Sequence, residues 1–383
     1  MDIGHEKYLF LYLNTGNGHR EPARILKNEI EKNPKIKVVL VNGFARFQFV
    51  ARFFFEKGYH TTTAIMPSAY SAFYDMMNIQ FFLNICKFFC TFITKRYIAH
   101  LLKKEKFTKV VSFHFAVSPA AYYAIKKINP QIPFIVDITD PFTAHKAWFL
   151  VPNAQFIVHS EQLKNEMIFS HKIKSEKIHV FPFIIDNKFS EITPQKIDKI
   201  KKDIDILPNQ KVILIAGGGE GLSGVVKIVR SFVQLKDEKT NDVVLIVVCG
   251  RNFTSFKIID KIRKKHKNKQ IKLYGFVNNM DSLINIADCV ITKGGASMLM
   301  QVSACCKPVI FSTYIHGQEK GNVDFAIQNK TGWFIRKAEK VIDKALQVCF
   351  DEKLKSEIKS KLKSINIKSD VSGLATKIID IND

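Results

Sequence analysis

The stretch Asp288-Cys289-Val290-Ile291-Thr292-Lys293-Gly294-Gly295-Ala296-Ser297 joins a strand-like apolar run to two glycines and the start of a helical pattern. Such a turn leaves backbone N–H groups free at a helix N-terminus, where an anion can bind. It is followed by His316-Gly317-Gln318-Glu319-Lys320-Gly321-Asn322, in which glutamine, glutamate and asparagine suit hydrogen bonds to sugar hydroxyls. An anion site beside a sugar site predicts a pocket for a nucleotide sugar.

A second glycine-rich turn supports this interpretation. The apolar run Val212–Ala216 is followed by Gly217-Gly218-Gly219-Glu220-Gly221-Leu222-Ser223-Gly224 and then by a helical pattern from Val225 to Val233. Glycine lets backbone amides approach a phosphate closely. A P-loop nucleotidase is not favoured because no Gly-Lys-Ser/Thr follows, and the spacing fits a dinucleotide motif poorly. Either turn alone could be an ordinary strand-to-helix connection, but both turns together with the segment 316–322 favour a binding site.

A third glycine-containing turn lies near the N-terminus. Tyr8–Leu13 is an apolar strand pattern, and Asn14-Thr15-Gly16-Asn17-Gly18-His19-Arg20 leads from it into a helix. A histidine on the first turn of this helix would point toward the carboxyl end of the strand, where α/β proteins bind ligands. The alternative is that His19 only packs there, since the sequence shows no local partner for it.

Strand and helix patterns alternate along the chain, as in doubly wound α/β domains. The 383 residues suffice for two domains, and the lysine-rich stretch from Asn187 to Lys211 marks the junction. We expect an N-terminal domain over residues 1–190, a C-terminal domain over 191–345 and a helical tail over 346–383 that crosses back to the N-terminal domain. After Tyr8–Leu13, the predicted strands are Val38–Val41, Val110–Phe113, Phe134–Ile138, Phe156–Val158, Val212–Ala216, Val243–Val248, Ile271–Tyr274, Val290–Thr292 and Val309–Phe311.

Five motifs occur in order: Thr-Gly-Asn-Gly-His-Arg at 15–20, Thr-Asp and Trp-Phe within 139–149, Gly-Gly-Gly-Glu-Gly at 217–221, Thr-Lys-Gly-Gly at 292–295 and Gly-Gln-Glu-x-Gly-Asn at 317–322. This combination resembles the family 28 glycosyltransferases, and within them the monogalactosyldiacylglycerol synthases and bacterial diacylglycerol glucosyltransferases. The resemblance implies a GT-B fold, two Rossmann-like doubly wound domains facing across a cleft. It also implies an inverting, metal-independent transfer of a hexose from a UDP-sugar to a membrane lipid, diacylglycerol, without a cofactor.

The resemblance assigns catalysis and acceptor binding to the N-terminal domain. His19 would be the base that takes the proton of the acceptor hydroxyl, because imidazole titrates near neutral pH. Asp140 would be a second candidate base, or the group that orients the base. The residues expected to shape the acceptor site are Gly18, His114, His145 and Trp148.

The same resemblance assigns the UDP-sugar to the C-terminal domain. Amides of the two glycine turns and a helix dipole would hold the departing diphosphate, and Phe276 would face the uracil. Gln318, Glu319 and Asn322 would contact sugar hydroxyls or part of the nucleotide. The full expected donor-binding set is Gly217, Gly218, Gly219, Glu220, Gly221, Ser223, Phe276, Lys293, Gly294, Gly295, Ser297, Gln301, Gln318, Glu319 and Asn322.

Two positions depart from the family pattern. Gly16-Asn17-Gly18-His19 stands where many members have Gly-Gly-Gly-His, and asparagine tolerates positive φ, so the turn is expected to persist. Gln301 stands where the family has a ribose-binding glutamate, and it loses a charge-assisted hydrogen bond of roughly 1 kcal/mol or more. This loss leaves open an altered or non-catalytic GT-B membrane-binding protein. A lipid-linked N-acetylglucosaminyltransferase of cell-wall synthesis, which shares the fold and the chemistry, is the other alternative.

Two segments, 44–55 and 79–109, pair aromatic with basic residues, and the net charge of +23 indicates an anionic partner. The apolar part of the second segment is too short and too interrupted to span a bilayer. Aromatic and basic side chains on one helix favour insertion into an anionic leaflet. The alternative is a core helix beside a solvated basic face. The residues expected at the membrane are Phe81, Phe82, Phe88, Phe89, Lys95 and Arg96.

Other features bear on the compartment and on excluded partners. Seven cysteines without a Cys-x-x-Cys pair indicate reduced thiols, no disulfide framework and no metal site. Met1–Lys7 is too short and too polar to begin a signal peptide, so we expect a cytoplasmic protein at the inner face of the cell membrane. Nucleic acid is not expected as a partner, because no recognition motif accompanies the basic charge. Asp203-Ile204-Asp205 imitates a metal-binding Asp-x-Asp but is interpreted as a solvated helix face.

Overall fold

The structure is a computed structural model that describes residues 6–14, 17–44 and 67–382. The chain divides into two compact units. The first contains the residues up to Ile185, the segment Ile315–Gly321 and the residues from Ser369 onward. The second contains Asp186–Tyr314 and Asn322–Lys368. Each unit has a parallel six-stranded sheet among its described residues, which confirms the expected pair of doubly wound α/β domains.

The sheet of the first unit consists of β1 Glu6–Tyr12, β2 Ile36–Asn42, β3 Lys109–Ser112, β4 Phe134–Asp137, β5 Gln155–Val158 and β6 Ile178–Val180, in the order β2-β1-β3-β4-β5-β6. The α-helices among its described residues up to Ile185 are α1 Asn17–Ile30, α2 Pro67–Met76, α3 Gln80–Lys104, α4 Ser118–Ile128 and α5 Glu161–His171. Leu9 and Leu11 of β1 share a buried cluster with α4, whereas Phe10 shares one with Leu26 of α1. Apolar residues therefore occupy both faces of the sheet, which explains the continuous apolar runs of its strands.

The sheet of the second unit consists of β7 Lys211–Ala216, β8 Val243–Val248, β9 Gln270–Tyr274, β10 Cys289–Lys293, β11 Val309–Thr313 and β12 Gly332–Phe334, in the order β12-β11-β10-β7-β8-β9. The helices in this part of the chain are α6 Pro194–Asp203, α7 Val225–Gln234, α8 Phe253–Lys265, α9 Met280–Ile286, α10 Ala296–Ala304, α11 Lys320–Gln328, α12 Ala338–Phe350 and α13 Glu352–Ile365. The strand order is that of the Rossmann fold.

Each sheet has one point where the chain reverses the direction in which strands are added. In the first sheet this point lies between β1 and β3, and in the second between β7 and β10. Open α/β sheets bind ligands in the crevice outside the carboxyl ends of the strands at such a point. The fold therefore places the turn that contains His19 at the reversal point of the first sheet. It places the glycine turns that follow β7 and β10 side by side at the reversal point of the second sheet.

The end of the chain returns to the first unit as α14 Val371–Asp380. Its Leu374 and Ile378 lie in the buried cluster that contains Leu26 of α1. Buried Lys109 donates hydrogen bonds to the carbonyls of Ile378 (2.6 Å) and Ile379 (2.7 Å) at the end of this helix. The expected tail 346–383 is thus divided, because α12 and α13 belong to the second unit.

The sequence-based strand assignment differs from the structure mainly at the sheet edges. Every predicted strand is present with small differences at its ends, but β6 and β12 were not predicted. Both are three-residue edge strands, which are too short to give an apolar run. The division between the units falls after Ile185 rather than after residue 190, because Ile184 and Ile185 are still buried.

Candidate active site

His19 occupies the reversal point of the first sheet. It lies on the first turn of α1, directly after β1, and its side chain is buried. The neighbouring strand β3 ends just before His114, and the two imidazole rings lie 4.6 Å apart between centroids. Gly18 beside His19 has open space around it, since a Cβ there would meet no atom of the described residues within 4 Å. The topology thus brings together two histidines that are far apart in sequence.

Thr139 and Asp140 follow β4 at the same edge of the sheet. The Thr139 hydroxyl lies 2.7 Å from Nδ1 of His19. Asp140 accepts hydrogen bonds from Nε1 of Trp148 at 2.9 Å and from Nε2 of Gln318 at 3.3 Å. The residue found against His19 is therefore Thr139, whereas the sequence had suggested Asp140 as the orienting group.

Burial sets the charges of these groups. It lowers the pKa of His19 to about 4, opposed by a hydrogen bond to the backbone of Phe113. Burial and the neighbouring His19 lower the pKa of His114 well below its usual range. Burial raises the pKa of Asp140 to about 6, opposed by the hydrogen bonds from Trp148 and Gln318. Near neutral pH both histidines are consequently uncharged and Asp140 is ionised.

Aromatic side chains line the surroundings of this cluster. Trp148 is fully buried and its ring lies 6.1 Å from that of His19 and 5.7 Å from that of Phe115. His145 begins the 3-10 helix Lys146–Phe149 and accepts a hydrogen bond from the backbone N–H of Ala147. The ring centroids of Tyr74 and His145 lie 4.7 Å apart, with the two rings in an edge-to-face arrangement. The four residues expected to shape an acceptor site all lie in this part of the first unit.

The Gly-Gln-Glu-x-Gly-Asn motif is divided between the two units. Glu319 is buried and accepts a hydrogen bond from the backbone N–H of Ile315, which closes its own turn. Gln318 contacts Asp140 in the first unit. Asn322 is buried in the second unit, where it donates to the carbonyl of Gly294 at 2.8 Å. The expected contacts of these side chains with sugar hydroxyls stay predictions.

The turn after β7 requires glycine at several positions. A Cβ on Gly217 would overlap the backbone of Gly221. Gly218 and Gly221 have φ angles of +80° and +77°, which residues with a side chain rarely adopt. The N–H of Gly221 donates to the carbonyl of Gly218 and closes the turn. Glu220 and Ser223 complete this loop, which α7 follows.

The turn after β10 lies beside the first, because β10 pairs with β7. Gly295 is the N-cap residue of α10, and without a side chain it gives no hydrogen bond to the N-terminus of this helix. Lys293 and Gly294 follow an irregularity in strand pairing after Thr292, whose hydroxyl is buried and has no hydrogen-bond partner among the described residues. Ser297 and Gln301 are spaced to lie on one face of α10. A helix N-terminus without a cap, beside an unsatisfied hydroxyl, can receive an anionic ligand.

Arg251 was missed by the sequence analysis. It follows β8, and its N–H donates to the carbonyl of Gly219 at 2.8 Å. Its guanidinium lies 3.3 Å from the carboxylate of Glu220 and 4.9 Å from the ring centroid of Phe276. It therefore connects two residues of the expected donor site. The sequence signal that could have identified Arg251 is the preceding Gly250, which directly follows a buried parallel strand at the same edge of the sheet.

Helix α3 carries all six residues that are expected at the membrane. Phe81, Phe88 and Phe89 expose 67%, 72% and 54% of their surface, and Lys95 and Arg96 are exposed as well. Phe82 is partly buried and packs against a cluster that includes Leu83, so its contact with the membrane stays a prediction. Phe81 and Phe82 differ in exposure because successive residues of a helix point to different sides of it.

The other predicted membrane segment, 44–55, lies outside the described residues except for Phe44, which is buried. Among the described residues, no single helix is long and apolar enough to cross a bilayer. Two consecutive helical segments, Tyr70–Met76 and Gln80–Lys104, meet at a bend of 97°. Taken together they would be long and apolar enough to cross a bilayer, by length and composition alone. The described residues contain no group of three or more His, Cys, Asp or Glu arranged to hold a metal ion.

Two family models match this chain over different regions. One, described as monogalactosyldiacylglycerol (MGDG) synthase, matches residues 19–184. The other, described as the glycosyltransferase family 28 C-terminal domain, matches residues 212–374. The chain is a glycosyltransferase with a family 28 C-terminal domain. In this glycosyltransferase the first match begins at His19 and the second covers both glycine turns, so the family expected from the motifs is confirmed.

Sequence similarity to known proteins extends over most of the glycosyltransferase chain. A processive diacylglycerol beta-glucosyltransferase of Bacillus licheniformis is 26% identical over 98% of this chain and 95% of its own. Monogalactosyldiacylglycerol synthase 2, chloroplastic, of Arabidopsis thaliana is 24% identical over 88% of this chain and 73% of its own. The crystal structure of Anabaena Alr3699/HepE in complex with UDP-glucose has a TM-score of 0.60 at 13% identity, covering 98% of this chain and 99% of that chain. The expected GT-B fold is confirmed.

Proposed function

We propose that this glycosyltransferase transfers a hexose from a UDP-sugar to diacylglycerol, with inversion at the anomeric carbon and without a metal ion. The observation that carries the proposal is the buried, uncharged His19 at the reversal point of the first sheet, beside Thr139, Asp140 and Trp148. The names of the relatives in Bacillus licheniformis and Arabidopsis thaliana support a diacylglycerol acceptor.

In the proposed reaction, His19 takes the proton of the acceptor hydroxyl as its oxygen attacks the anomeric carbon. A new carbon–oxygen bond forms on one side of the sugar ring while the bond to the diphosphate breaks on the other, and UDP leaves with the electron pair. A neutral imidazole can accept this proton, and its low pKa of about 4 keeps it neutral before the reaction. Asp140 is the second candidate base, supported by its pKa of about 6.

The donor is proposed to bind at the two adjacent glycine turns of the second unit. Amides of Gly217–Gly221 and of the turn before α10 would hold the diphosphate, helped by the positive end of the α10 dipole. Half-exposed Phe276 offers a flat apolar surface for the uracil. This arrangement stabilises the charge of the leaving group with fixed dipoles.

The lipid acceptor requires access to a membrane surface, which helix α3 is proposed to provide. Phe81, Phe88 and Phe89 are exposed beside Lys95 and Arg96. Exposed aromatic side chains next to cations suit the boundary between acyl chains and anionic head groups. The proposed location is therefore peripheral, at the inner face of the cell membrane.

The function is tested by incubating the purified chain with diacylglycerol vesicles and a panel of UDP-sugars, followed by mass spectrometry of the lipids. A mass gain of one or more hexoses from UDP-glucose or UDP-galactose is expected. Transfer of N-acetylglucosamine to a polyprenyl-linked acceptor alone would instead support the cell-wall enzyme. Vesicle binding without any transfer would support the non-catalytic alternative suggested by Gln301.

A further inference from the structure

The hydroxyl of Thr139 lies 2.7 Å from Nδ1 of His19, and both side chains are buried. We propose that Thr139 is the positioning residue that fixes the orientation and the tautomer of the His19 ring. This inference rests on the proposed function, in which His19 is the base. It gives a role to a residue that touches neither the sugar nor the diphosphate in the reaction described above.

The position of the hydroxyl is itself well defined. Thr139 is β-branched, which restricts rotation about its Cα–Cβ bond. On one side of it, the N–H of Ile138 donates to the carbonyl of Ile157. On the other side, Asp140 is held by Trp148 at 2.9 Å. The backbone that carries the hydroxyl is thus anchored at both neighbouring residues, so the hydroxyl can serve as a fixed partner for the imidazole.

The contact has a consequence for the proton on the ring. A neutral imidazole carries one N–H and one nitrogen with a free lone pair. With Nδ1 bonded to Thr139, the nitrogen available to an acceptor hydroxyl is Nε2, and it must be unprotonated to act as a base. The ring proton therefore resides on Nδ1, where Oγ1 of Thr139 and the backbone carbonyl of Phe113, the other hydrogen-bond partner of the ring, share it. A hydroxyl can accept this bond, whereas a valine methyl group cannot.

The matched variants are Thr139→Val, which keeps the branched shape without the hydroxyl, and Thr139→Ser, which keeps the hydroxyl. We expect Thr139→Val to lower kcat by about 10- to 100-fold with the KM of both substrates nearly unchanged, because a base with the wrong tautomer is poorly active. Thr139→Ser should stay within about 3-fold of the wild-type kcat. Equal losses in both variants, or a loss confined to KM, would overturn the proposal.

A second measurement reports the tautomer of the His19 ring directly, in the unmodified protein. Nitrogen-15 chemical shifts of the His19 ring, assigned by comparison with His19→Gln, report which nitrogen is protonated. We expect the Nδ1–H form in the unmodified protein and a mixture of forms in Thr139→Val. A predominant Nε2–H form in the unmodified protein would contradict the proposal.

His19→Ala separates this inference from the proposed function. If His19→Ala retains its activity, the base assignment fails and the role of Thr139 fails with it. If His19→Ala is inactive but Thr139→Val turns over like the wild type, only the inference about Thr139 fails.

Discussion

The indole N–H of Trp148 donates a hydrogen bond to the buried carboxylate of Asp140 at a distance of 2.9 Å. The other oxygen of Asp140 accepts a hydrogen bond from Gln318 at 3.3 Å. These two donors lower the cost of a buried negative charge, yet the pKa of Asp140 still rises to about 6 because burial dominates. Two groups that change charge at different pH values, Asp140 and His19, thus lie close to Trp148.

The first prediction concerns the base. His19→Ala should lower kcat by a factor of about 100 or more, because general base catalysis contributes this much, while UDP affinity stays nearly unchanged. Steady-state kinetics and calorimetric titration with UDP measure the two quantities. His171→Ala, a change of a histidine on α5 of the same unit, is the matched control and should retain activity. Near wild-type turnover of His19→Ala would transfer the role of base to Asp140.

The pH dependence of kcat distinguishes the two candidates. If His19 is the base, its neutral form persists down to its pKa of about 4, so kcat should change little between about pH 7.5 and about pH 5.5. If ionised Asp140 is the base, kcat should fall as the pH drops through about 6. The profile is measured with saturating substrates. A fall near pH 6 that disappears in Asp140→Asn would contradict the assignment of His19.

The same pKa shifts predict opposite effects on stability. The pKa of His19 is lowered from 6.5 to about 4, so the contribution of this group to stability is lost as the pH falls through that window. The pKa of Asp140 is raised from 3.8 to about 6, so its contribution declines as the pH rises through that window. Urea unfolding of His19→Gln and Asp140→Asn across about pH 4 to 7 measures both. A stability difference from the wild type that does not vary with pH would contradict the corresponding shift.

The transfer is predicted to proceed without a divalent cation. Amides of the glycine turns and the α10 dipole are proposed to hold the diphosphate, so EDTA should leave kcat and the donor KM unchanged. The assay follows UDP release with and without chelator. Activity that EDTA abolishes and Mg²⁺ or Mn²⁺ restores would refute the metal-free mechanism.

The exposed face of α3 is predicted to bind anionic vesicles. Replacing Phe81, Phe88 and Phe89 with serine should weaken partitioning by at least about 1,000-fold, because each exposed ring loses an insertion energy of about 1.5–3 kcal/mol. Vesicle flotation at low and high salt measures the effect, and salt should weaken the binding of the unmodified protein. Phe82→Ser is the matched control, because Phe82 is partly buried against the cluster that includes Leu83, and its loss should lower stability without a comparable loss of binding. Unfolding of the triple variant together with unchanged lipid affinity would show that these rings belong to the core.

Arg251 is predicted to support donor binding through Glu220 and Phe276. Arg251→Met removes the contacts with both, at 3.3 Å and 4.9 Å, and should raise the donor KM by about 10-fold with kcat within about 2-fold. Lys257→Met is the matched control, since Lys257 also lies over an aromatic ring, that of Phe253 at 4.6 Å. Equal donor KM values for the two variants would argue against a specific role of Arg251.

The sequence predicted the features that depend on local chemistry. Buried parallel strands show as apolar runs, and the turns after β7 and β10 show as glycine clusters because Gly218 and Gly221 adopt positive φ. The same reasoning placed His19 at the end of β1, and the ordered motifs indicated the family. The short edge strands β6 and β12 carried no such signal.

The sequence by itself determined the two Rossmann-like sheets, the glycine turns and the candidate base. Only the tertiary structure decided that Thr139 hydrogen-bonds to His19, that Phe82 is partly buried while Phe81 is exposed, and that α14 packs beside α1. The physical reason is the difference between interactions that are local in sequence and interactions between residues distant in sequence. Strand, turn and helix patterns follow from neighbouring residues, whereas a hydrogen bond between residues 19 and 139 depends on how strands that are distant in sequence pair within one sheet.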